Sequence, residues 1–342
     1  MQETATNESP HHAVRTAVLL LNLGTPAAPT ASAVRRYLAE FLSDRRVIDY
    51  PRWLWLPLLH GVILNLRPRR SARAYASIWT EQGSPLLVHS RALAQKLAQA
   101  CAADGLRVEL AMTYGEPAIA GILARLLSDG VDRLLLVPLY PQYSATSTAA
   151  AFDRVFAALR SQPRLPELRT LNSYHAAPGY ISALCDSVQK YWQEHGRAER
   201  LLLSFHGIPE RYVRNGDPYH MQCLATAQAL GARLGLDART LLVSFQSRVG
   251  RERWLAPYTD TVLAELAAGG VRHLQVLCPG FAVDCLETLE EIALRGREQF
   301  IAAGGDRLDY IAALNDSAAH VELLRGLIAA QTRNWTPSHA DA

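Results

Sequence analysis

The 342-residue sequence is poor in lysine and has no paired cysteines, and both absences narrow what it can be. Lysine occurs only at 96 and 190, so nearly all of the 35 basic residues are arginine, and against 32 acidic residues the formal charge is +3. So slight an excess does not describe a nucleic-acid binder, which needs a clustered basic face; it fits anionic small molecules or a membrane surface better. The five cysteines, at 101, 185, 223, 278 and 285, form no C-x-x-C pair, which argues against a zinc ribbon or a disulfide framework and for reduced thiols. The amino-terminal stretch MQETATNESPHHAVRT lacks the basic-then-apolar order of a signal peptide, so a cytoplasmic protein is expected. The longest apolar run, WLWLPLLHGVILNL at 53–66, is broken by Pro57, His60 and Gly61. It falls short of the roughly 20 residues that span a bilayer, although it could lie on one. No G-x-G-x-x-G, G-x-x-x-x-G-K-[ST] or G-x-S-x-G occurs, so there is neither a nucleotide signature nor a hydrolase elbow.

What is present is an α/β pattern. With 49% hydrophobic and 20% charged residues the chain has a globular balance and room for two domains. Apolar runs of strand length, TAVLLLN (16–22), VELAMTY (108–114), RLLLVPL (133–139), RLLLSF (200–205), TLLVSF (240–245) and HLQVLC (273–278), alternate with amphipathic segments. Near-continuous apolar strands separated by helices predict parallel sheets buried on both faces. The sequence also repeats: AVLLLNLGTP resembles RLLLSFHGIP, and GVDRLLLVPLYP resembles GVRHLQVLCPGF, in the same order. Two copies of one doubly wound unit are therefore expected. The first copy carries about 43 extra residues between its matched strands. Residues 44–83, with Trp53, Trp55, Trp79 and the cluster Arg67, Arg69, Arg70 and Arg73, are the candidate insertion. The expected division is 14–170, then 171–315 across the proline-rich stretch 161–179, then a closing helix within 316–335 that could pack on either half.

In open parallel sheets, ligands sit beyond the carboxyl ends of the strands. Two segments lie there in the second copy: SFHGIPERYVRNGDPY (204–219) and CPGFAVDCLE (278–287). His206 could be an ordinary hydrogen-bonded residue at a strand end, or a metal-facing or proton-accepting group. The end of its motif, NGDPY, reads as a turn and helix start, with Asp217 as N-cap and Pro218 as N1. DCLETLEEI also has two readings. Asp284 with Glu287 resembles a capping box. Alternatively, Glu287, Glu290 and Glu291, spaced i, i+3, i+4 with no basic residue among them, form an acidic stripe that would attract a cation. A histidine and a carboxylate facing one another would suit a divalent transition metal in transit.

Together SFHGIPERYVRNGDPY, LCPGFAVDCLETLEEI, PLYPQYSATST, NLGTP and SFQSRVGRERWLAPYT resemble the ferrochelatase family, whose members insert Fe(II) into protoporphyrin IX in the last step of haem synthesis. The resemblance runs from about residue 16 to about 330. It implies two similar Rossmann-like halves, each with a mainly parallel four-stranded sheet, and a porphyrin cleft between them. It implies that His206 and Glu287 act on opposite walls as metal ligands and proton-handling groups. Glu291 would help to conduct metal or protons. Tyr114 and Trp254, with Tyr143 and Ser144, would line the cleft, and 44–66 would form an apolar lip. Protoporphyrin IX and ferrous iron are the implied partners, iron being a substrate. Three departures stand out. Cys285 replaces a histidine common in relatives, and Leu23 replaces a tyrosine that can ligate metal in Gram-positive ones. The tail TPSHADA lacks the cysteine used by animal enzymes, so no [2Fe–2S] cluster is expected. Insertion of cobalt, metallation of coproporphyrin, and non-catalytic carriage of a metal or tetrapyrrole are the competing functions. Leu23 occupies in the first copy the place of His206 in the second, so the histidine is not a requirement of the turn.

Overall fold

The computed structural model describes residues 15–250 and 252–335. The polar amino-terminal stretch, Arg251 and the cysteine-free tail lie outside the described residues. Two four-stranded sheets, every pairing parallel, form the frame. The first has the order β2-β1-β3-β4, from β1 (Arg15–Gly24), β2 (Leu106–Tyr114), β3 (Val131–Pro138) and β4 (Glu167–Thr170). The second repeats it as β6-β5-β7-β8, from β5 (Arg200–His206), β6 (Leu241–Gln246), β7 (His273–Leu277) and β8 (Arg307–Ile311).

In the first half, helices α1 (Ala31–Leu42), α2 (Arg52–Leu58), α3 (Leu64–Ile78) and α4 (Pro85–Ala100) separate β1 from β2; α5 (Ile119–Ser128) and α6 (Ala150–Leu159) follow β2 and β3. After β4, α7 (Pro178–His195) leads into the second half, which adds α8 (Glu210–Arg214), α9 (Tyr219–Leu234), α10 (Thr259–Ala268), α11 (Leu286–Thr288) and α12 (Arg297–Ala302). Helix α13 (Ala318–Thr332) closes the chain. The 44–83 segment, expected as an insertion, holds α2, a π-helical turn Leu59–Ile63 and α3.

Strand β1 shows why the apolar runs read as continuous. Ala17 to Leu21 have no exposed surface. Val18 and Leu20 face a central core, while Ala17, Leu19 and Leu21 face a second core under α5 and α6. Leu201, Leu203 and Phe205 of β5 enter the same central core, whose filling comes from α4, α7, α9 and α13. The two sheets thus share one helical layer, and α13 lies in it against α4 and α7. The apolar runs mark six strands, and the sheets contain two more. Those two, β4 (ELRT) and β8 (RLDYI), are edge strands like β2 and β6 but are short, with two charged residues each, and so make no apolar run.

Candidate active site

His206 is the last residue of β5, in register with Gln246 at the end of β6. Gly207 follows because nothing larger fits: a Cβ there would lie 2.9 Å from the Gln246 carbonyl oxygen and 3.3 Å from Trp254. The imidazole Nδ1 is 2.6 Å from the Gly207 carbonyl oxygen. A carbonyl only accepts, so Nδ1 carries the proton and Nε2 is left as a free lone pair in the neutral ring. The half-buried ring has Trp254 at 6.5 Å and Phe281 at 6.3 Å between centroids.

Glu287 stands in the first turn of α11, and it does not cap that helix. The capping is done by Thr288, whose hydroxyl accepts from the Cys285 N–H at 3.0 Å and donates to Asp284 at 2.9 Å. The expected Asp284–Glu287 box is therefore replaced by an Asp284–Thr288 pair, which leaves the glutamate free for other work. Its surroundings barely ionise: burial first, then the Glu287 carboxylate, pushes the phenol of Tyr75 and the thiol of Cys285 far up. Cys285 stays a thiol in this setting, not the thiolate that binds metal. Arg67 of α3 feels the same carboxylate: loss of solvent lowers its pKa and Glu287 opposes the effect.

Gln246, which the motifs did not single out, links the elements that carry the two residues. Its buried side chain donates to the Glu287 carbonyl oxygen at 2.7 Å and accepts from the Ser204 hydroxyl at 2.6 Å. The ends of β5 and β6 and the start of α11 are thus held as one piece beside His206. Tyr140 was also missed. It stands just past β3, half-buried, with its hydroxyl buried and unpartnered, as is the indole N–H of Trp254. The strand-end rule that found His206 could have found it.

Several expected residues serve other ends. The chain from Leu289 to Gly296 is π-helical, so the glutamates do not form the regular stripe that α-helical spacing predicts. Both oxygens of Glu291 are committed to Ser247, to its N–H at 2.8 Å and its hydroxyl at 2.6 Å, and hold that residue in a left-handed conformation at φ 68°. Glu290 pairs with Arg295 at 3.2 Å, so the stripe is also compensated. Tyr114 has no exposed surface and cannot line a cleft; its hydroxyl donates to Asp44 at 3.0 Å within the core of the insertion. Ser144, 2% exposed, donates to Asp217 at 2.9 Å, and the N–H of Tyr143 donates to Gln222 at 2.7 Å. These two tie the halves together rather than present free groups. Asp217 does more than start a helix: it accepts from the Tyr219 N–H of α9 and from Ser144 and Ala145 of the other half.

The root of the insertion is fastened to both halves. Asp44 holds Tyr114 of the first, while Asp49 pairs with Arg211 of α8 in the second, where Tyr212 also donates to the Val47 carbonyl oxygen at 3.1 Å. The outer face of the insertion is apolar: Trp53, Leu54, Leu58, Val62 and Leu66 are exposed. A cavity of about 140 Å³ opens beside Ser247, Arg248, Glu291 and Arg295, and its lining includes neither His206 nor Glu287. Among the described residues no three His, Cys, Asp or Glu side chains gather closely enough to hold a metal ion, so a metal here would depend on ligands from elsewhere.

A family model described as Ferrochelatase matches residues 15–332. A ferrochelatase of Azoarcus sp. (strain BH72) is 51% identical, covering 96% of this chain and 92% of its own. One from Edwardsiella ictaluri (strain 93-146) is 55% identical over 92% of this chain and 97% of its own. Among solved structures, SirB from Bacillus subtilis with Fe3+ has a TM-score of 0.55 at 11% identity, covering 94% of this chain and 99% of that one. CbiX, described as the terminal enzyme of sirohaem biosynthesis in denitrifying bacteria, has a TM-score of 0.52 at 14% identity, covering 92% and 99%. At such identities these two speak for the fold alone.

Proposed function

The chain belongs to the ferrochelatase family, and we infer from that membership that it inserts Fe(II) into protoporphyrin IX, with His206 and Glu287 as the reacting groups. Metallation requires the porphyrin to lose two pyrrole protons, the iron to lose water, and the macrocycle to bend so that a nitrogen lone pair meets the metal. His206, with Nδ1 committed to Gly207, has Nε2 available to take a pyrrole proton or to hold iron. Glu287, relieved of helix capping, offers a carboxylate for metal or proton transfer. With so few protein ligands in reach, iron would pass to the four porphyrin nitrogens instead of being retained. Trp254 and Phe281, flanking the imidazole, supply apolar surface against which the macrocycle can be held and strained. The observation that carries this reading is an imidazole whose Nε2 is left open by the Nδ1 bond to Gly207, with Glu287, tied through its backbone to the neighbouring Gln246, relieved of helix capping. Steady-state insertion of Fe(II) into protoporphyrin IX tests it: His206→Ala and Glu287→Gln are each expected to lower kcat about 100-fold or more while leaving the fold intact. Turnover near the wild-type rate in either would refute the role of that residue.

No helix among the described residues is long and apolar enough to cross a membrane. The exposed apolar face of the insertion, with exposed Arg69, Arg70 and Arg73 beside it on α3, supports a peripheral seat on an anionic bilayer at the cytoplasmic face. A porphyrin delivered through the lipid would then meet the lip first.

A further inference from the structure

Asp284 is 4% exposed, and its oxygens accept from Thr288 at 2.9 Å, Tyr310 at 2.6 Å and the side-chain amide of Asn315 at 2.7 Å. The Asp284 N–H in turn donates to Asn315 Oδ1 at 2.8 Å, so the two residues close a two-point ring. Asn315 itself is held in the left-handed region, at φ 48°. Its carbonyl oxygen lies 2.5 Å from Nδ1 of His320, a residue 1% exposed. Burial pushes the His320 pKa down to about 4, so the ring is neutral near pH 7 and donates from Nδ1. A continuous line of hydrogen bonds thus runs from α13 through the loop after β8 to the turn that carries Glu287.

The first half provides a control for how much of this the fold itself requires. It has the same Leu-Asn pair after its edge strand, Leu171-Asn172 following β4. Asn172, however, is exposed and accepts only a local bond from Thr170 at 3.1 Å. Ser144, as far beyond Gly130 as Asp284 is beyond Gly270, is held by Asp217 instead. The architecture is built without an Asn–Asp ring in one copy, and with it only in the copy that carries Glu287.

We propose that Asn315, seated by His320, is a positioning residue for Glu287: it fixes Asp284 and thereby the direction in which α11 presents its carboxylate. This rests on the reading of Glu287 as a reacting group. The test is steady-state metal insertion into protoporphyrin IX by the full chain, with kcat and the porphyrin KM taken separately. Asn315→Asp sets two carboxylates against each other and is expected to lower kcat about tenfold or more, with KM unchanged within about twofold. Exchanging the pair, Asp284→Asn with Asn315→Asp, restores every donor and acceptor of the ring and is expected to return kcat to within about threefold of wild type. Asn172→Asp, the matched change in the other half, is expected to leave both constants unchanged. If Asn315→Asp does not fold, His320→Leu takes its place, with an expected loss of about threefold in kcat at constant KM. Unchanged kcat in the single variants, a rise in KM alone, or an exchanged pair no better than Asn315→Asp would overturn the proposal. Glu287→Gln separates the two failures. If it is inactive while Asn315→Asp is normal, only the positioning falls; if it is fully active, the role of Glu287 falls and the positioning with it.

Discussion

Leu23 stands one residue before the end of β1, and His206 stands at the matching place on β5; the chain around them is otherwise built alike. In both halves a glycine follows directly, and in both it is required by the close approach of the neighbouring strand. In both, the loop after the third strand of the repeat begins a π-helical stretch, Ala145–Ala149 in one and Leu289–Gly296 in the other. The hydrogen bonds made at corresponding positions differ. The first half uses Ser144 to bind the other half, whereas the second uses Asp284 to organise its own turn. One scaffold therefore carries two different sets of contacts, and the differences lie in the loops beyond the strand ends.

The comparison is broken most severely at the glycines. Gly24, at φ 104°, would place a Cβ 1.8 Å from the Tyr114 carbonyl oxygen, which no relaxation of a paired strand accommodates. Gly24→Ala is expected to cost about 4 kcal/mol or more, read as loss of soluble folded protein or a collapse of Tm. Gly207, with its nearest backbone atom at 2.9 Å and no left-handed φ, is the milder case. Gly207→Ala is expected to cost about 2 kcal/mol and to displace Gln246, so activity should fall more than stability. Equal stability losses at the two sites would mean that the two turns are not equivalent.

Acid sharpens the contrast next. His320 belongs to the network of the second half, and its folded pKa of about 4 lies below the ordinary 6.5. Between those values the unfolded chain binds the proton and the folded one does not. Stability is therefore undiminished above about pH 6.5 and is lost as pH falls toward 4, by about 3 kcal/mol in all. Denaturant midpoints between pH 7 and 4 should show this slope, and His320→Leu should flatten it. An unchanged slope would show that the acid limb arises elsewhere.

A quieter pair is Thr148 and Thr288, equally spaced from Gly130 and Gly270 and both without exposed surface. The Thr148 hydroxyl has no partner, whereas that of Thr288 serves Asp284 and the Cys285 N–H. Thr288→Val is expected to cost about 2 kcal/mol, because it leaves a buried N–H unsatisfied, and Thr148→Val is expected to be neutral or to stabilise by up to about 1 kcal/mol. Urea unfolding of the two variants measures the difference directly.

Much of this frame is legible in the sequence because buried parallel strands write themselves as apolar runs and the runs repeat. His206 is legible for a related reason, since the repeat shows that its turn does not require a histidine. Strands β4 and β8 are not, because four and five residues with two charges in each make no apolar run. Gln246 and Asn315 escape for a different reason: their importance lies in partners far away in the chain, and an amide has no sequence pattern of its own. The pairing of Glu291 with Ser247 is not legible either, because a regular helical spacing does not foresee a π-wound segment.

The smallest expected effect on stability concerns the lip, which only the first half possesses. Sequence treats Trp53 and Trp55 as a pair, and the structure separates them. Trp53 is 76% exposed, while Trp55 is 9% exposed and donates its indole N–H to the Leu42 carbonyl oxygen at 2.7 Å. Trp55→Ser would therefore remove a pillar of the insertion's core and confuse a test of membrane contact. Trp53→Ser with Leu66→Ser removes only exposed apolar surface and is expected to change stability by no more than about 0.5 kcal/mol. Each lost side chain would nevertheless withdraw apolar area from a bilayer at about 25 cal/mol per Å². Co-sedimentation with vesicles containing anionic lipid should drop for this double variant and should weaken for wild type as salt is raised, because the α3 arginines act through a screened field. Partitioning that ignores both changes would leave the lip as a wall of the cleft and nothing more.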